Sequence, residues 1–324
     1  MEVFFLVLQQ MVVMFLFMTV GFVLRKKKIL PEGTDKALSK LEIFVFLPAM
    51  NFYNQLNNCT PKSFCENYPL VITGGVLVII SILLAYPLSR LFVKKREGEE
   101  RSISYKRNIY KYAIALANFG FIGNFLVLEI WGEVGLFRYS LFTFCLSIAC
   151  YAWGLAILAP SDKGDSGKLR AAVGRICTPA LIALVLGALL GLFGVGRYMP
   201  DFIGRLFLGA SDCMGPCAML LAGFVIGGYS FKSIVSDKKI YLVSILRLIV
   251  IPGVILCALK LLELDFAVPY ALVAFAAPLG LNTVVFPAAY GEDTKTGASM
   301  ALISTVISLA TIPLMYYIFF ILWV

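Results

Sequence analysis

The residues best suited to form a binding site in this chain lie in a short segment rich in proline, glycine and amide side chains. Five of them fall within ten positions: Pro278, Gly280, Asn282, Thr283 and Pro287. Proline removes a backbone donor and clashes with the preceding turn, and glycine tolerates almost any backbone angle. The segment therefore predicts a broken helix whose freed backbone groups lie beside an amide and a hydroxyl.

A second segment repeats this pattern earlier in the chain. It contains Asn118, Gly120, Gly123 and Asn124 but no proline, so the sequence leaves the sharpness of its break open. Taken alone, either segment could simply kink and pack a helix. Their matching positions in the two halves of the chain favour a shared binding site.

Two such breaks would suit an anion. A half-helix carries about +0.5 of a charge at its N-terminus, and its free N–H groups bind anions without any Lys or Arg. Broken helices are tolerated in lipid only where the freed backbone is buried in protein or lines a cavity. Crossed near the midplane, the two segments would offer backbone donors, a positive dipole and the amides of Asn118 and Asn282.

The composition places these segments in a membrane. Of the 324 residues, 60% are hydrophobic and 15% are charged, and the mean hydropathy is +0.89. A soluble domain is about 45–50% apolar and about 25% charged. Histidine is absent and no Cys-x-x-Cys pair occurs, which excludes His-based catalysis, haem and His-ligated metals. We expect neither an enzyme nor a metal or cofactor.

The apolar runs predict an all-α polytopic protein with ten transmembrane helices. A span needs about 20 residues, and the runs match that length. The predicted helices are 3–24, 37–54, 69–93, 109–129, 134–159, 171–194, 203–229, 239–261, 268–289 and 296–322.

The basic residues orient this array. The odd-numbered loops hold 22 of the 28 Lys and Arg residues, and the even-numbered loops hold five. Because basic loops stay on the cytoplasmic side, both termini should lie outside the plasma or inner membrane. The net charge of +9 thus reflects the basic loops that orient the protein in the bilayer, and no nucleic-acid partner is expected.

The chain also divides into two five-helix halves, 1–160 and 171–324. Gly120 and Gly280 are offset by 160 residues, and Gly132 and Gly291 by 159. The segment from Gly120 to Gly132 and the segment from Gly280 to Gly291 each belong to the fourth predicted helix of their half. Five helices is an odd number, so the second half must insert upside down. Inverted repeats of this kind are typical of secondary transporters.

Longer stretches around both predicted breaks resemble the bacterial auxin efflux carrier family, and the resemblance covers nearly the whole chain. It is carried by Gly21-Phe22 to Arg25, Leu38-Ser39-Lys40-Leu41, Phe46-Leu47-Pro48-Ala49, Asn118-Phe119-Gly120-Phe121-Ile122-Gly123, Ala277-Pro278-Leu279-Gly280-Leu281-Asn282-Thr283, Ala289-Tyr290-Gly291-Glu292-Asp293, Ser304-Thr305 and Ile312-Pro313-Leu314. One departure is Phe125, where the family often has the proline of Gly-x-Pro.

The resemblance implies a ten-helix fold shared with plant auxin exporters and bile-acid transporters. Helices 1, 2, 6 and 7 would form a scaffold, and helices 3–5 and 8–10 a mobile core with crossed, broken fourth and ninth helices. The cargo would be an auxin-like acid or another small mono- or dicarboxylate, moved by an elevator-type alternation. The family's carboxylate-contacting asparagines fall on Asn118 and Asn282. A homodimer through the scaffold helices is a further expectation.

Of the ionisable residues within predicted spans, three are candidates for a function, because a charged group is costly in lipid. Asp212 precedes Gly215-Pro216 and could carry a coupling proton or support a kink. Arg247 could snorkel, pair with an acid or face a substrate carboxylate. For Glu42, close to Lys40, an interfacial salt bridge is expected. Coupling to H⁺ is favoured over Na⁺.

Two other classes of protein compete with an organic-anion transporter. A cation–proton antiporter can share crossed helices but usually needs carboxylates there, and no Asp or Glu occurs within 109–128 or 268–289. A membrane receptor on a transporter fold remains open, because fold does not dictate function.

Cys59 and Cys65 share one polar loop and could form a disulfide on an oxidising side.

Overall fold

The computed structural model describes residues 2–94, 101–158, 178–290 and 292–323, and these residues are almost entirely helical with no named strand. The α-helices are α1 Glu2–Lys26, α2 Thr34–Leu41, α3 Leu47–Asn58, α4 Pro61–Phe92, α5 Arg101–Ala115, α6 Asn124–Phe142, α7 Phe144–Ala149, α8 Leu155–Leu158, α9 Pro179–Leu192, α10 Asp201–Gly227, α11 Phe231–Val235, α12 Lys238–Ile245, α13 Ile251–Leu261, α14 Val268–Ala276, α15 Asn282–Tyr290 and α16 Lys295–Tyr317.

Short π-helical segments join several of these helices. They are Glu42–Phe46, Phe119–Gly123, Cys150–Gly154, Leu246–Val250 and Ile318–Leu322. Two of them run into helices with a proline in the first turn, Pro48 in α3 and Pro252 in α13. Because proline cannot donate to the preceding turn, the extra residue of a π turn accommodates the break without ending the helix.

Five helical stretches are long and apolar enough to cross a membrane: Leu8–Lys26, Pro61–Phe92, Asp201–Gly227, Lys238–Leu261 and Lys295–Phe320. The pair Asn124–Phe142 and Phe144–Leu158, bent by 55°, brings the number to six if it counts as one span. Large apolar side chains are exposed on these helices, including Leu83 at 66% and Leu91 at 72%. Exposed apolar surface of this extent fits contact with lipid.

Two predicted helix starts are wrong by eight residues. Helix α4 begins at Pro61 rather than 69, because Thr60 and Ser63 form a capping box and Pro61 occupies the first turn. That polar turn does not register in a hydropathy run. Helix α5 begins at Arg101 rather than 109, with a polar first half of low hydropathy. The start predicted at 171, like the predicted boundary at 160, lies outside the described residues.

Close helix pairs are made through glycines. At Gly223 of α10 an added Cβ would lie well inside 3 Å of the backbone oxygen of Met18 in α1. At Gly187 of α9 it would lie 2.6 Å from the oxygen of Phe52 in α3. Small residues that let backbones approach are the usual basis of helix association in membranes. Thus α1 packs on α10, and α3 packs on α9 as well as on α10.

Candidate functional site

The two segments predicted to break do break, and they pair with each other. Between α5 and the π turn, residues 116–118 leave the helix, and residues 277–281 separate α14 from α15. An antiparallel β-bridge joins Ala117 to Leu279, and the Asn118 N–H donates to the Pro278 oxygen over 2.8 Å. The backbone groups freed by one break are thus partly satisfied by the other.

The remaining backbone groups near the bridge find local partners. Pro278 has no N–H to return, and the Asn118 oxygen instead accepts from the Gly123 N–H at 3.2 Å. The Leu279 N–H donates to Ser304 Oγ at 3.0 Å. The Tyr139 hydroxyl donates to the Phe119 oxygen at 3.0 Å. A proline is therefore not needed for the first break, and Phe125, in place of a family proline, packs on Gly215 of α10.

A small cavity of about 30 Å³ lies at the bridge. Its wall is formed by Leu47, Asn51, Ala117, Asn118, Phe119, Gly120, Asn124, Ser140, Thr143, Ser147, Cys150, Tyr151, Leu184 and Asn282. A volume of this size holds one or two water molecules, whereas ligand sites usually span about 300–1,000 Å³. In this structure the polar cavity is therefore closed and too small for an organic substrate.

Two of the wall amides are buried without partners. Asn118 is 5% exposed and Asn124 is 8% exposed, and the side chain of neither hydrogen-bonds to any residue in the described part of the chain. An unpaired amide in an apolar environment costs free energy, so its partner is expected to come from the cavity. Both half-helices that follow the breaks start beside this cavity, with their positive dipole ends toward it.

Asn282 holds a different position in the same wall. Its Nδ2 donates to the Tyr112 hydroxyl at 2.9 Å and to Cys150 Sγ at 3.1 Å. The Tyr112 hydroxyl oxygen and Cys150 Sγ are 3.1 Å apart and also hydrogen-bond to each other. The three side chains join α5, the π turn after α7 and α15 into one polar cluster, which sequence analysis did not foresee.

The other predicted site residues serve the break rather than the cavity. Thr283 is fully buried, and its hydroxyl donates to the Gly280 oxygen at 2.8 Å. Gly280 lies against Tyr112 and the backbone of Leu116. Gly123 faces the Tyr139 hydroxyl. Pro278 accepts the bridge hydrogen bond, and Pro287 lies inside α15. Of the predicted set, Asn118, Gly120, Asn124 and Asn282 reach the cavity wall.

Several wall residues were missed by the sequence argument. Ser140, Thr143 and Ser147 follow one another at spacings of three and four, a pattern that predicts one helix face. In the structure all three line the wall across the bend between α6 and α7. That spacing was readable in the sequence. Asn51 and Leu184 come from α3 and α9, and no local pattern could have assigned them to this wall.

A second cavity, of about 200 Å³, shares Asn124 with the first. It lies between α3, α6 and α10, and two carboxylates face it, Glu129 and Asp212. Gln10 Nε2 donates to Glu129 Oε2 at 3.2 Å. Glu129 stands one residue beyond the span 109–128 that the sequence showed to lack acids, so its place near the break was overlooked.

Two predicted charged residues lie elsewhere. Arg247 is fully buried and stacks on Phe275, with its guanidinium carbon 5.3 Å from the ring centre, and its three side-chain nitrogens have no hydrogen-bond partner in the structure. Because it is buried, it does not snorkel, and it does not line the crossover cavity. Glu42 is also fully buried with neither oxygen paired, so the expected salt bridge is absent among the described residues.

Comparison with known families decides the identity of the chain. A family model described as membrane transport protein matches residues 6–316. The chain belongs to the auxin efflux carrier family. No curated protein matches the chain.

Members of this family are membrane transporters, and the several long apolar helices of the chain fit a multi-pass membrane protein. The paired breaks of this carrier occur in the two segments that carried the strongest resemblance, 118–123 and 277–283. The match spans both halves, so the bridge and its cavity lie within the matched region.

The bridge should depend on glycine at position 280. An added Cβ there would lie 2.9 Å from the Tyr112 ring and 3.2 Å from the Leu116 oxygen, whereas at Gly120 it would meet nothing within 4 Å. Overpacking of this kind costs about 1–3 kcal/mol. We expect Gly280→Ala to lower the melting temperature of the detergent-purified carrier and Gly120→Ala to leave it unchanged. Equal melting temperatures for both variants would contradict the tight bridge.

Proposed function

We propose that the carrier is a secondary transporter of a small organic carboxylate, held at the bridge between the two broken helices. The observation that carries this proposal is the pair of buried, unpartnered amides, Asn118 and Asn124, beside two half-helix N-termini. Amide N–H donors and helix dipoles are groups that a carboxylate accepts from. Mono- and dicarboxylates, including auxin-like acids, are the proposed substrates.

Asn282 would join this site by turning its amide. Tyr112 and Cys150 can each donate a proton as well as accept one, so a 180° rotation of the Asn282 amide lets Oδ1 accept from them. The two Nδ2 donors then face the cavity. Asn118 and Asn282 would in this way reach one carboxylate from the two sides of the bridge.

An inverted repeat is supported by the register of the bridge. The offset of 160 equates Asn118 with Pro278, and these two residues stand opposite each other, joined by the 2.8 Å hydrogen bond. Two strands related by a two-fold axis must pair equivalent residues at the axis. The helix contacts follow the same rule, because exchanging the halves turns the α1–α10 contact into the α9–α3 contact.

A division into scaffold and core is supported by packing. The predicted scaffold helices 1, 2, 6 and 7 correspond to α1, α2–α3, α9 and α10, which contact one another extensively. The cavity wall includes Asn51 and Leu184 from that group and the bridge residues from the other. Sliding the core along the scaffold would open the closed cavity to one side at a time, which is an elevator-type mechanism.

We further propose a homodimer through the scaffold helices.

Coupling to a cation is supported by the second cavity. Asp212 belongs to the proposed scaffold and Glu129 to the core, and both face a space that touches Asn124. A proton, or less favourably Na⁺ bound by oxygen ligands, would offset one of the two negative charges while an anion occupies the bridge. The same acids keep a cation–proton antiporter as the second candidate.

The carrier is proposed to lie in the plasma or inner membrane with both termini outside. The support is the excess of Lys and Arg in the odd loops, of which Lys95, Arg96, Lys163, Lys168, Arg170 and Arg175 fall outside the described residues. A receptor role on the same fold is separated from transport by a flux assay in liposomes, since a receptor binds the carboxylate without moving it.

The substrate site is tested by removing its amides. A buried hydrogen bond to a charged group contributes about 1.5–3 kcal/mol, and 1.4 kcal/mol is about tenfold in affinity. Asn118→Ala and Asn282→Ala should therefore each weaken carboxylate binding by about one to two decades, measured by thermal-shift titration with mono- and dicarboxylates.

Matched controls are Asn67→Ala, which removes an amide that donates to the Ser63 oxygen in the first turns of α4, and Cys145→Ala. Both should bind and transport like the parent. If the Asn118 and Asn282 variants also behave like the parent, the bridge is a structural kink and the substrate site lies elsewhere.

The coupling proposal is tested on Glu129 and Asp212. Asp212→Asn and Glu129→Gln remove the charges that a proton would neutralise, so we expect uptake into liposomes to lose its dependence on an imposed pH gradient. Glu133→Gln makes the same change of charge four residues away on α6, where the side chain is exposed, and should keep that dependence. A pH dependence that persists in both acid variants rules out this pair as the carrier of the proton.

The orientation is tested at the connection between α3 and α4 and in the first turns of α4. The prediction that Cys59 and Cys65 share one loop is wrong, because Cys65 already lies inside α4. Cys59 and Cys65 are both free, Cys65 is exposed, and burial raises the pKa of the Cys59 thiol. Because the thiolate is the reacting form, a membrane-impermeant maleimide should label Cys65 in intact cells, and Cys65→Ser should abolish that label. A cysteine at Ser104 should react only after permeabilisation. The opposite pattern would invert the topology.

A further inference from the structure

A cavity of about 610 Å³ lies away from the bridge. It is formed by the first half of α5, the residues around the start of α12 and the first turns of α16. These segments belong to the third, seventh and ninth predicted loops, on the proposed cytoplasmic face. At 1.5 Å per residue, the α5 residues that line the cleft, Arg101 to Ile109, lie about 12 to 24 Å along the chain from Ala117 at the bridge. The cleft is therefore a space distinct from the substrate site.

Charged residues line the cleft, and its acids already have partners. Glu292 Oε1 accepts from Arg101 at 2.9 Å. Asp237 is 3.4 Å from Lys106 and also accepts from the Lys239 N–H at 3.0 Å. Asp293 accepts from the Lys295 N–H at 3.0 Å. The carboxylates of the cleft are thus held by side-chain cations or by backbone donors at helix starts.

What remains unpaired in the cleft is cationic or neutral. The Lys295 ammonium is exposed and forms no ion pair within the described residues. One turn further along the same face of α16, Ser299 is 2% exposed, lines the cleft and has no hydrogen-bond partner among the residues described. Lys295 is also the first residue of α16. Asp293 already accepts from its N–H, and the other N–H groups of the first turn leave a partial positive charge at this helix end.

An ammonium, a buried hydroxyl and a helix N-terminus on one wall form a site for a compact anion with several acceptor oxygens. The volume is within the range of ligand pockets and leaves room for a larger molecule attached to that anion. We propose that this cleft binds a phosphate group, presented either by a soluble phosphorylated molecule or by a lipid headgroup, as a regulatory site separate from transport at the bridge.

The test uses the full-length carrier in nanodiscs of phosphatidylcholine. Inorganic phosphate is titrated at constant ionic strength against potassium chloride, and binding is read from the melting temperature. The parent should show a saturable rise. Lys295→Gln changes an exposed side chain, and Ser299→Ala removes only a hydroxyl, so neither should disturb the fold. Each should raise the apparent Kd for phosphate at least fivefold. Lys232→Gln, an exposed lysine outside the cleft, is the matched control and should bind like the parent.

A second arm distinguishes the source of the phosphate. Nanodiscs containing phosphatidylglycerol, without free phosphate, should stabilise the parent more than Lys295→Gln if the headgroup is the ligand. No stabilisation of the parent in either arm overturns the proposal, as does equal binding by the parent and both cleft variants.

The Asn282→Ala variant separates this site from the bridge. It should keep phosphate binding while losing carboxylate binding. If it loses phosphate binding, the phosphate occupies the bridge and the cleft is not a site. If Lys295→Gln instead loses carboxylate binding, the cleft belongs to the substrate path and the separate site is overturned.

Discussion

A broken helix inside a membrane must satisfy its freed backbone groups within the protein, because lipid offers no hydrogen bonds. In this carrier two breaks share that requirement. The Asn118 N–H donates to Pro278, and the groups left over go to side chains of neighbouring helices, such as Ser304 and Tyr139. Neither break is self-sufficient, so the two segments hold each other in place.

Much of the surrounding packing follows from this pairing. The backbone at Gly280 must approach the Leu116 oxygen, and α16 must approach α15 closely enough that Gly297 contacts the Thr283 backbone. The residues from Val268 to Leu281 are almost all buried as a result. A segment so tightly enclosed cannot move alone. Any motion that opens the cavity must carry the bridge and its neighbours together, which is why a rigid core sliding on a scaffold is the natural proposal.

The sequence predicted the parts of this arrangement that depend on local chemistry. Hydropathy located the five or six helical stretches that are long and apolar enough to cross a membrane, and the glycines, prolines and asparagines of two segments located both breaks. It did not predict that Thr283 would serve the backbone of Gly280, because the choice between cavity and backbone depends on the direction the helix takes after the break. Tertiary packing places Asn51 in the wall of the bridge cavity and Glu129 in the wall of the second cavity, and no local pattern predicts either. The first turns of α4 and α5 are polar, so a search for apolar runs missed where these helices start.

The composition of the wall also bears on how tightly an anion would be held. No Lys or Arg lines the cavity at the bridge among the described residues, and Arg247, a buried cation, stacks on Phe275. A fixed cation at 4 Å would add about 4 kcal/mol at an effective dielectric constant of 20. Amides and helix dipoles give less than this, and their strength falls as soon as the cavity opens to water. A transporter must release what it binds, and the proposed site, made of dipoles rather than charges, suits that requirement.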